Sequence, residues 1–148
     1  MLIPIIGFNA RLDPLQAVVL NAKLNHLAAW NEVRRAAARR YDELLGDIRG
    51  LTLPVTLPGN EHVWHLYMVR VPQRDQVLQQ LNAAGVGAGV HYPIPIHLQG
   101  AFKHLGHRRG DFPMAEAAAD EILTLPLFPG ITLQQQQYVA TTLRTALS

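Results

Sequence analysis

A chain of 148 residues with 49% hydrophobic composition is long enough to bury the core of one domain and too apolar for a disordered segment. Its 13 basic and 11 acidic residues give a net charge of +2 without a basic tract, so charge gives no support for a nucleic-acid or membrane-surface role. The absence of cysteine excludes disulfides, a thiolate nucleophile and cysteine-ligated zinc, and it suits a reducing compartment.

The first ten residues, MLIPIIGFNA, contain a short apolar stretch that no charged region precedes. This stretch is too short for a signal peptide or a transmembrane span. The expected location is therefore cytoplasmic.

The clearest predicted element is a helix that starts after Asp13. Asp13 is a good N-cap, Pro14 suits the first helical position, and Gln16 is placed to complete a capping box. Apolar residues then recur at spacings of three and four until Gly46, which predicts one helix of about 32 residues. Such a helix is about 48 Å long, whereas a globule of this chain length has a radius of gyration of about 15 Å. We therefore expect the helix either to break near position 25 or to pack one end against something outside this chain.

Shorter predicted elements follow the long helix. In chain order they are strands at 51–55 and 63–71, a helix at 74–84, a short strand at 86–91, a loop at 92–113, and helices at 114–123 and 132–147. Gly85 is expected to end the 74–84 helix, and Thr132 to cap the last helix. This order predicts an α+β fold: a small antiparallel or mixed sheet flanked by helices and preceded by a long N-terminal helix.

The N-terminal segment and the start of the long helix are expected to lie outside the core. Residues 1–12 have no partner element in the sequence, whereas residues 51–147 contain the predicted sheet and the capped helices, with Trp64 in the core. The apolar face between Leu12 and Leu27 is expected to be uncovered, which favours self-association as a dimer.

A series of motifs resembles one enzyme family. The segment GFNARLDPLQA at 7–17 is similar to the G-[YF]-N-x-R-[LM]-x-x-[LI]-Q-A motif of the DegT/DnrJ/StrS sugar aminotransferases, which are pyridoxal-phosphate enzymes of fold type I. The similarity continues, in order, through the arginine-rich helix, HLY at 65–67, GVHYP at 89–93, DFP at 111–113, AE at 115–116 and LPLFP at 125–129. Several motifs in one order make this resemblance specific.

The resemblance implies the C-terminal part of such an enzyme. Residues 1–12 would be the remnant of a missing large domain, 13–46 a connecting helix, and 47–148 the small C-terminal domain. The cofactor lysine of the family lies upstream of the matching segment, and neither Lys23 nor Lys103, the two lysines of the chain, aligns with it. Covalent catalysis needs a lysine held against the cofactor aldehyde. The isolated chain is therefore expected to have no catalytic residue, to bind no cofactor and to be inactive.

Four residues are candidate site residues by resemblance alone. Asn9 matches an asparagine that reaches the cofactor phosphate of the partner subunit, and Arg11 matches a diphosphate or interface contact. His91 and Tyr92 match positions near the active site, where groups of the sugar substrate or the cofactor are contacted. The alternatives are structural: Asn9 turns the chain before Asp13, Arg11 is solvent-exposed, and His91 and Tyr92 are polar residues at a strand end.

Two other polar groups favour structural interpretations. His65 and Tyr67 are expected to form a hydrogen-bonded edge of the core beside Trp64. The arginines at 34, 35, 39 and 40 recur at helical spacing, which is typical of a solvated face and would also suit an acidic surface of a missing domain.

Three histidines in the predicted loop raise the question of a metal site. His97, His104 and His107 lie within eleven positions, but no carboxylate or second motif supports metal ligation. We therefore interpret them as loop histidines and expect no metal.

Two functions of different kinds fit these observations. The first is the C-terminal part of an aminotransferase that moves an amino group from a glutamate-like donor to a keto-sugar nucleotide. The second is a stand-alone binding module that docks on itself or on a separately encoded aminotransferase half. A decayed fragment with no function beyond folding is the third possibility. The expected partners are a second copy or a missing N-terminal half, without nucleic acid or membrane.

Overall fold

The computed structural model describes residues 2–148, which form four α-helices, two strands and two short 3-10 helices. The elements are, in chain order, α1 (Pro14–Leu45), β1 (Tyr67–Arg70), α2 (Arg74–Ala83), the 3-10 helices Ile96–Leu98 and Gly100–Leu105, α3 (Pro113–Glu121), β2 (Ile122–Leu125) and α4 (Leu133–Ala146). This architecture confirms the predicted α+β class, with a small antiparallel sheet, flanking helices and a long first helix. No helix within residues 2–148 is both long and apolar enough to cross a membrane.

Helix α1 starts where its capping residues predicted. Asp13 Oδ1 accepts hydrogen bonds from the backbone N–H groups of Leu15, at 2.8 Å, and Gln16, at 3.3 Å. The helix ends at Leu45, and Gly46 follows as its C-cap. Within the described chain, the side chain of Gln16 does not return a bond to Asp13, so the predicted capping box is only half formed.

The helix runs without a break for 32 residues, so the first of the two alternatives, a break near position 25, is excluded. A break would have kept the whole helix against its own domain. In the structure the helix is continuous through this region and extends past the domain. Its buried residues are all in the second half and begin at Ala37. Between Pro14 and Ala29 only Ala17 is even half-buried. The first half of α1 therefore extends away from the core.

The sheet has two antiparallel strands, β1 and β2, whose register pairs Tyr67 with Leu125 and Arg70 with Ile122. Strand β2 was not predicted: its first two residues, Ile122 and Leu123, fell at the end of the predicted 114–123 helix, and its last two lay in the connection that follows. A short apolar run is compatible with either structure, and only the pairing with β1 decides for the strand. Alternate burial along β1 places Tyr67 and Val69 in the core.

The other predicted strands are shorter than expected. The 51–55 segment contributes a single bridge, from Thr52 to Arg70, and the 86–91 segment a single bridge, from Gly89 to Thr124. The 63–71 strand begins only at Tyr67, because Trp64 has a positive φ of 52° that interrupts extended backbone. These segments border the sheet without extending its ladder.

The core lies between the second half of α1, the sheet, α2 and α4. Its fully buried side chains include Tyr41, Leu81, Leu123 and Leu143. Burying an aliphatic side chain of this size stabilises the fold by about 1.5 to 3 kcal/mol. Trp64 lies at the edge of the same core, as predicted.

Only one of the two residues expected at the core edge, His65 and Tyr67, is buried. Tyr67 is fully buried, but His65 is exposed, so the prediction for His65 is wrong. The prediction assumed that both residues lie on one strand, whereas the strand begins at Tyr67. Burial raises the pKa of the Tyr67 phenol above its ordinary value, and its hydrogen bond to Asp42 raises it further.

Two of the four arginines on α1 are bound to other parts of the chain. Arg35 forms an ion pair with Glu61 at 2.7 Å, and Arg40 Nε donates to the side-chain oxygen of Gln136 at 2.6 Å. Gln136 is fully buried and also donates to the carbonyl of Ala37 at 2.8 Å. The arginine face is therefore only partly solvated.

Helix α4 begins at the predicted cap. The side chain of Thr132 accepts from the N–H of Gln135 at 3.2 Å, and the Gln135 side chain accepts from the N–H of Thr132 at 2.9 Å. This reciprocal capping box satisfies two N–H groups that have no partner inside the helix. Gly85, with a φ of +79°, follows the end of α2 as predicted.

The N-terminal segment has a docking contact that the sequence did not reveal. The N–H of Ile3 donates to Gln99 Oε1, and the carbonyl of Ile3 accepts from the N–H of Ala101, both at 2.8 Å. The expectation that the stretch from Met1 to Leu12 lacks a partner is therefore wrong at Ile3; Met1 lies outside the described residues. A contact 96 residues apart in sequence leaves no local signal.

Candidate functional site

Asn9 and Arg11 lie in the irregular segment between Ile3 and the start of α1. Both side chains are exposed, and neither makes a hydrogen bond to another residue in the 2–148 range. Side chains of this kind are available to a ligand or to another chain. Their exposure is equally consistent with the structural alternative, a turn and a solvated arginine.

His91 and Tyr92 leave the sheet edge beside β2. Gly89 forms two backbone hydrogen bonds with Thr124, at 3.0 and 2.8 Å, and brings the following residues next to the strand. His91 Nδ1 then lies 2.9 Å from Thr124 Oγ1, so the ring is held in one orientation. Tyr92 is 53% exposed, and its ring meets that of His91 edge-on at 5.6 Å.

Glycine at position 89 leaves room for the His91 ring. A Cβ atom there would lie 3.2 Å from His91 Cε1, closer than ordinary van der Waals contact. The histidine ring thus occupies the space that a side chain at this position would fill. The surrounding cleft has a volume of about 640 Å³ and is lined by His65, Leu66, Gly87 to Gly89, His91 and Thr124 to Phe128.

A second cleft, of about 660 Å³, lies on the other side of Tyr92. Its walls are largely apolar and come from Tyr92, Ile94 to His97, Phe102, Leu105, His107, Phe112, Ala115, Ala118, Ala119 and Ile122. His91 therefore lines the first cleft, and Tyr92 lines the second together with the loop after it.

Glu116 organises the loop that borders the second cleft. Its buried carboxylate accepts hydrogen bonds from the N–H groups of Gly110, at 2.9 Å, and Phe112, at 3.3 Å. His97 Nε2 lies 3.0 Å from the same carboxylate. Burial raises the pKa of Glu116, but the hydrogen bonds from Gly110, His97 and Phe112 outweigh it and leave the pKa below its ordinary value. Glu116 is therefore an ionised anchor and not a free acid.

This role of Glu116 was missed by sequence reasoning. The pair Ala115-Glu116 appeared only as a motif, and no local pattern shows that a carboxylate near a helix start will receive N–H groups from the preceding loop. The one available signal is position: Glu116 lies in the first turn of α3, where an acidic residue is favourable.

The three loop histidines do not converge. His97 contacts Glu116, and His107 Nδ1 lies 3.4 Å from Asp111 Oδ2, while His104 is exposed. Within residues 2–148, no three His, Asp or Glu side chains are grouped so as to hold a metal ion. His97 instead stacks against Phe112 at 4.7 Å, as a wall of the second cleft.

The residues present do not form a pyridoxal phosphate site by themselves. Lys23 is exposed on the first half of α1, and Lys103 is exposed on the 3-10 helix Gly100–Leu105. Neither lysine is desolvated, as an aldimine-forming lysine needs to be. His91 supplies a polar group to the first cleft, but within residues 2–148 neither cleft is lined by a lysine.

Comparison with known proteins gives one consistent result. A family model of the DegT/DnrJ/EryC1/StrS aminotransferases matches residues 2–144. The erythromycin biosynthesis sensory transduction protein EryC1 of Saccharopolyspora erythraea is 44% identical over 138 residues, which cover 93% of this chain and 38% of that protein. The dTDP-3-amino-3,4,6-trideoxy-alpha-D-glucose transaminase of Micromonospora megalomicea subsp. nigra is 39% identical over 146 residues, covering 96% and 39%.

Comparison with solved structures points to the same family as comparison with sequences. The crystal structure of S. venezuelae DesV, in complex with a ketimine intermediate, superposes with a TM-score of 0.87 at 40% identity, over 94% of this chain and 38% of DesV. The chain thus spans less than two fifths of the length of each of these relatives.

Proposed function

Because the chain belongs to the DegT/DnrJ/EryC1/StrS aminotransferase family, we propose that it is the C-terminal part of a sugar-nucleotide aminotransferase. The whole enzyme moves an amino group from a glutamate-like donor to a keto-sugar nucleotide and uses pyridoxal phosphate. A relative that is 39% identical is a transaminase of a dTDP-linked amino sugar, which supports this substrate class.

The observation that carries the proposal is the first half of α1. Leu15, Val18, Leu20 and Leu24 are each at least 50% exposed there, on a helix that the chain itself does not cover. A helix that is apolar around most of its surface is normally buried. We assign residues 1–12 to the remnant of the large domain, 13–46 to the connecting helix and 47–148 to the small domain.

In this proposal four residues of the chain serve the active site. Asn9 binds the cofactor phosphate of a partner subunit, and Arg11, His91 and Tyr92 contact the sugar nucleotide. The exposure of Asn9, Arg11 and Tyr92 supports these roles, since none of the three side chains is used up in the core. His91 is held by Thr124 and keeps its second ring nitrogen free of that bond.

The isolated chain is inactive in this proposal. Its two lysines are both exposed, and neither lies in the cleft beside His91. The reacting lysine would come from the other part of the enzyme. The expected partners are that part and a second copy of the enzyme.

The exposed helix also favours a second candidate function. A stand-alone module could use the same apolar surface to dock on itself or on a separately encoded aminotransferase half. The bare stretch from Leu12 to Leu27 is common to both functions. What separates them is whether this chain supports catalysis when it is joined to the rest of an enzyme.

A chimaera tests the proposal. The segment of the Micromonospora transaminase that matches this chain would be replaced by residues 2–144, and transaminase activity towards its sugar nucleotide would be measured. We expect measurable activity, which Asn9→Ala lowers at least tenfold by weakening cofactor binding. Lys23→Arg and Lys103→Arg are matched controls and should leave activity unchanged. A folded chimaera without activity would contradict the proposal.

A further inference from the structure

Gln99 connects the N-terminal segment to the loop after Tyr92. Its side-chain oxygen accepts the N–H of Ile3 at 2.8 Å, and its side-chain Nε2 donates to the carbonyl of Ile94 at 3.1 Å. The residue is only 4% exposed, so these bonds are shielded from water. One amide therefore satisfies two backbone groups from different parts of the chain.

The chemistry of the contact requires an amide. A glutamine side chain presents an acceptor and a donor on one planar group, and here the acceptor faces Ile3 and the donor faces Ile94. An apolar side chain of the same length would leave both backbone groups without this partner. A buried polar group that loses its partner is costly.

Two neighbouring features strengthen the same contact. The N–H of Ala101 donates to the carbonyl of Ile3 at 2.8 Å, so Ile3 is bound through both its backbone groups. Gly100 packs next to the segment as well, since a Cβ there would lie 3.4 Å from Pro4 Cα, at ordinary van der Waals contact. The segment is thus bound at a defined place and does not merely touch the loop.

The contact joins the two halves of the candidate site. Asn9 follows Ile3 by six residues, so an extended chain places it at most about 20 Å away. His91 and Tyr92 begin the loop that runs to Gln99. Fixing Ile3 on this loop limits where Asn9 can lie relative to His91.

We propose that Gln99 is a positioning residue: by holding Ile3 on the loop that follows His91 and Tyr92, it limits where the segment carrying Asn9 and Arg11 can lie. The hydrogen bonds of Gln99 are observed in the structure, whereas their effect on substrate or cofactor binding rests on the proposed function. Gln99 acts through the backbone of Ile3 and Ile94 and does not itself touch substrate. Its effect is therefore on binding of sugar nucleotide or cofactor, and much less on the chemical step.

The first test uses the 148-residue chain and hydrogen exchange. In Gln99→Met, we expect the amides of Ile3 and Ala101 to exchange at least tenfold faster, while those of Val69 and Leu123 in the sheet are unchanged. Gln136→Met is the matched control, because Gln136 is also a buried amide that bridges two groups. It should speed the exchange of core amides such as that of Val69 and leave the exchange of Ile3 and Ala101 unchanged.

A second variant guards against misfolding. Ile3→Pro removes the donated N–H and leaves Gln99 intact. It should speed the exchange of Ala101 in the same way. Unchanged exchange of Ile3 in Gln99→Met, or of Ala101 in Ile3→Pro, would overturn the inference.

The second test uses the active chimaera. Gln99→Met should raise the KM for sugar nucleotide or the Kd for pyridoxal phosphate about tenfold and change kcat less than threefold, whereas Gln136→Met should lower thermal stability without this split. Unchanged KM and Kd, together with lost protection of Ile3, would overturn the positioning role. An inactive chimaera would instead count against the proposed function, and the exchange experiment on the chain would still decide whether the contact exists.

Discussion

Tyr67 donates its phenolic hydrogen to Asp42 Oδ1 at 2.6 Å and thereby ties β1 to the second half of α1. Tyr67 is fully buried, and its ring also lies 5.0 Å from that of Tyr41. Because β1 pairs with β2, this bond connects the two-stranded sheet of the described chain to α1. The first half of the same helix extends beyond the core.

Removing the Tyr67 hydroxyl should lower stability while the ring packing survives. Tyr67→Phe leaves the half-buried Asp42 carboxylate without this donor, so we expect a loss of about 1 to 3 kcal/mol in the free energy of unfolding. Chemical denaturation measures it. Tyr138→Phe is the control, because the exposed Tyr138 hydroxyl only donates to the carbonyl of Ala84, and its loss should cost less than about 0.5 kcal/mol. Equal effects of the two variants would contradict the prediction.

Acid should release the loop that Glu116 anchors. The pKa of Glu116 is depressed in the folded state, so its contribution is fully present above the unfolded-state pKa of about 4.3 and is lost as the pH falls through the folded-state value. Amide protection at residues 106–112 should fall about tenfold between pH 5 and pH 3. Glu116→Gln should remove this pH dependence, whereas Glu43→Gln, at an exposed carboxylate on α1, should not.

Trp64 should be a major contributor to core stability. Its ring lies 4.2 Å from that of His62 and 5.5 Å from that of Tyr67. Trp64→Ala should cost about 3 to 5 kcal/mol, measured by denaturant unfolding, because it removes a large buried side chain. Val63→Ala, at a neighbouring side chain that is 45% exposed, should cost far less. If both variants had the wild-type free energy of unfolding, the prediction that Trp64 contributes to the core would be wrong.

The isolated chain should self-associate through the first half of α1. Sedimentation should show a dimer or larger species at tens of micromolar protein, because an uncovered apolar helix is unfavourable in water. Leu20→Glu with Leu24→Glu should weaken association at least tenfold without lowering thermal stability, since both residues are exposed in the monomer. Val55→Glu, at a still more exposed apolar residue outside α1, should leave association unchanged. A monomer at these concentrations would refute the prediction.

Neither lysine of the isolated chain should form a specific adduct with pyridoxal phosphate. Lys23 and Lys103 are both exposed, so neither amine is activated by desolvation. After borohydride reduction, mass spectrometry should find at most low, equal labelling of the two lysines, as in a denatured sample. Stoichiometric labelling of one lysine that its Arg variant abolishes would show a cofactor site in this chain.

Local signals were sufficient for both ends of α1 and for the start of α4. Asp13 and Pro14 marked the start of α1, Gly46 its end, and Thr132 the start of α4, because a cap acts within one turn of its own residue. The family motifs likewise made Asn9 and His91 candidates from their sequence context, and their roles stay predictions. Such features depend on neighbours in the chain, and a single sequence contains those neighbours.

Contacts between distant residues were decided only by the folded chain. The apolar run of β2 became a strand because β1, more than fifty residues earlier, offered it unpaired backbone groups. His65 was expected beside Tyr67 in the core, and it is exposed because the backbone turns at Trp64. The anchoring of a loop by Glu116 and of Ile3 by Gln99 depends on backbone N–H groups that any residue except proline would provide. Since such partners have no side-chain identity, no sequence pattern marks them, and only three-dimensional proximity selects them.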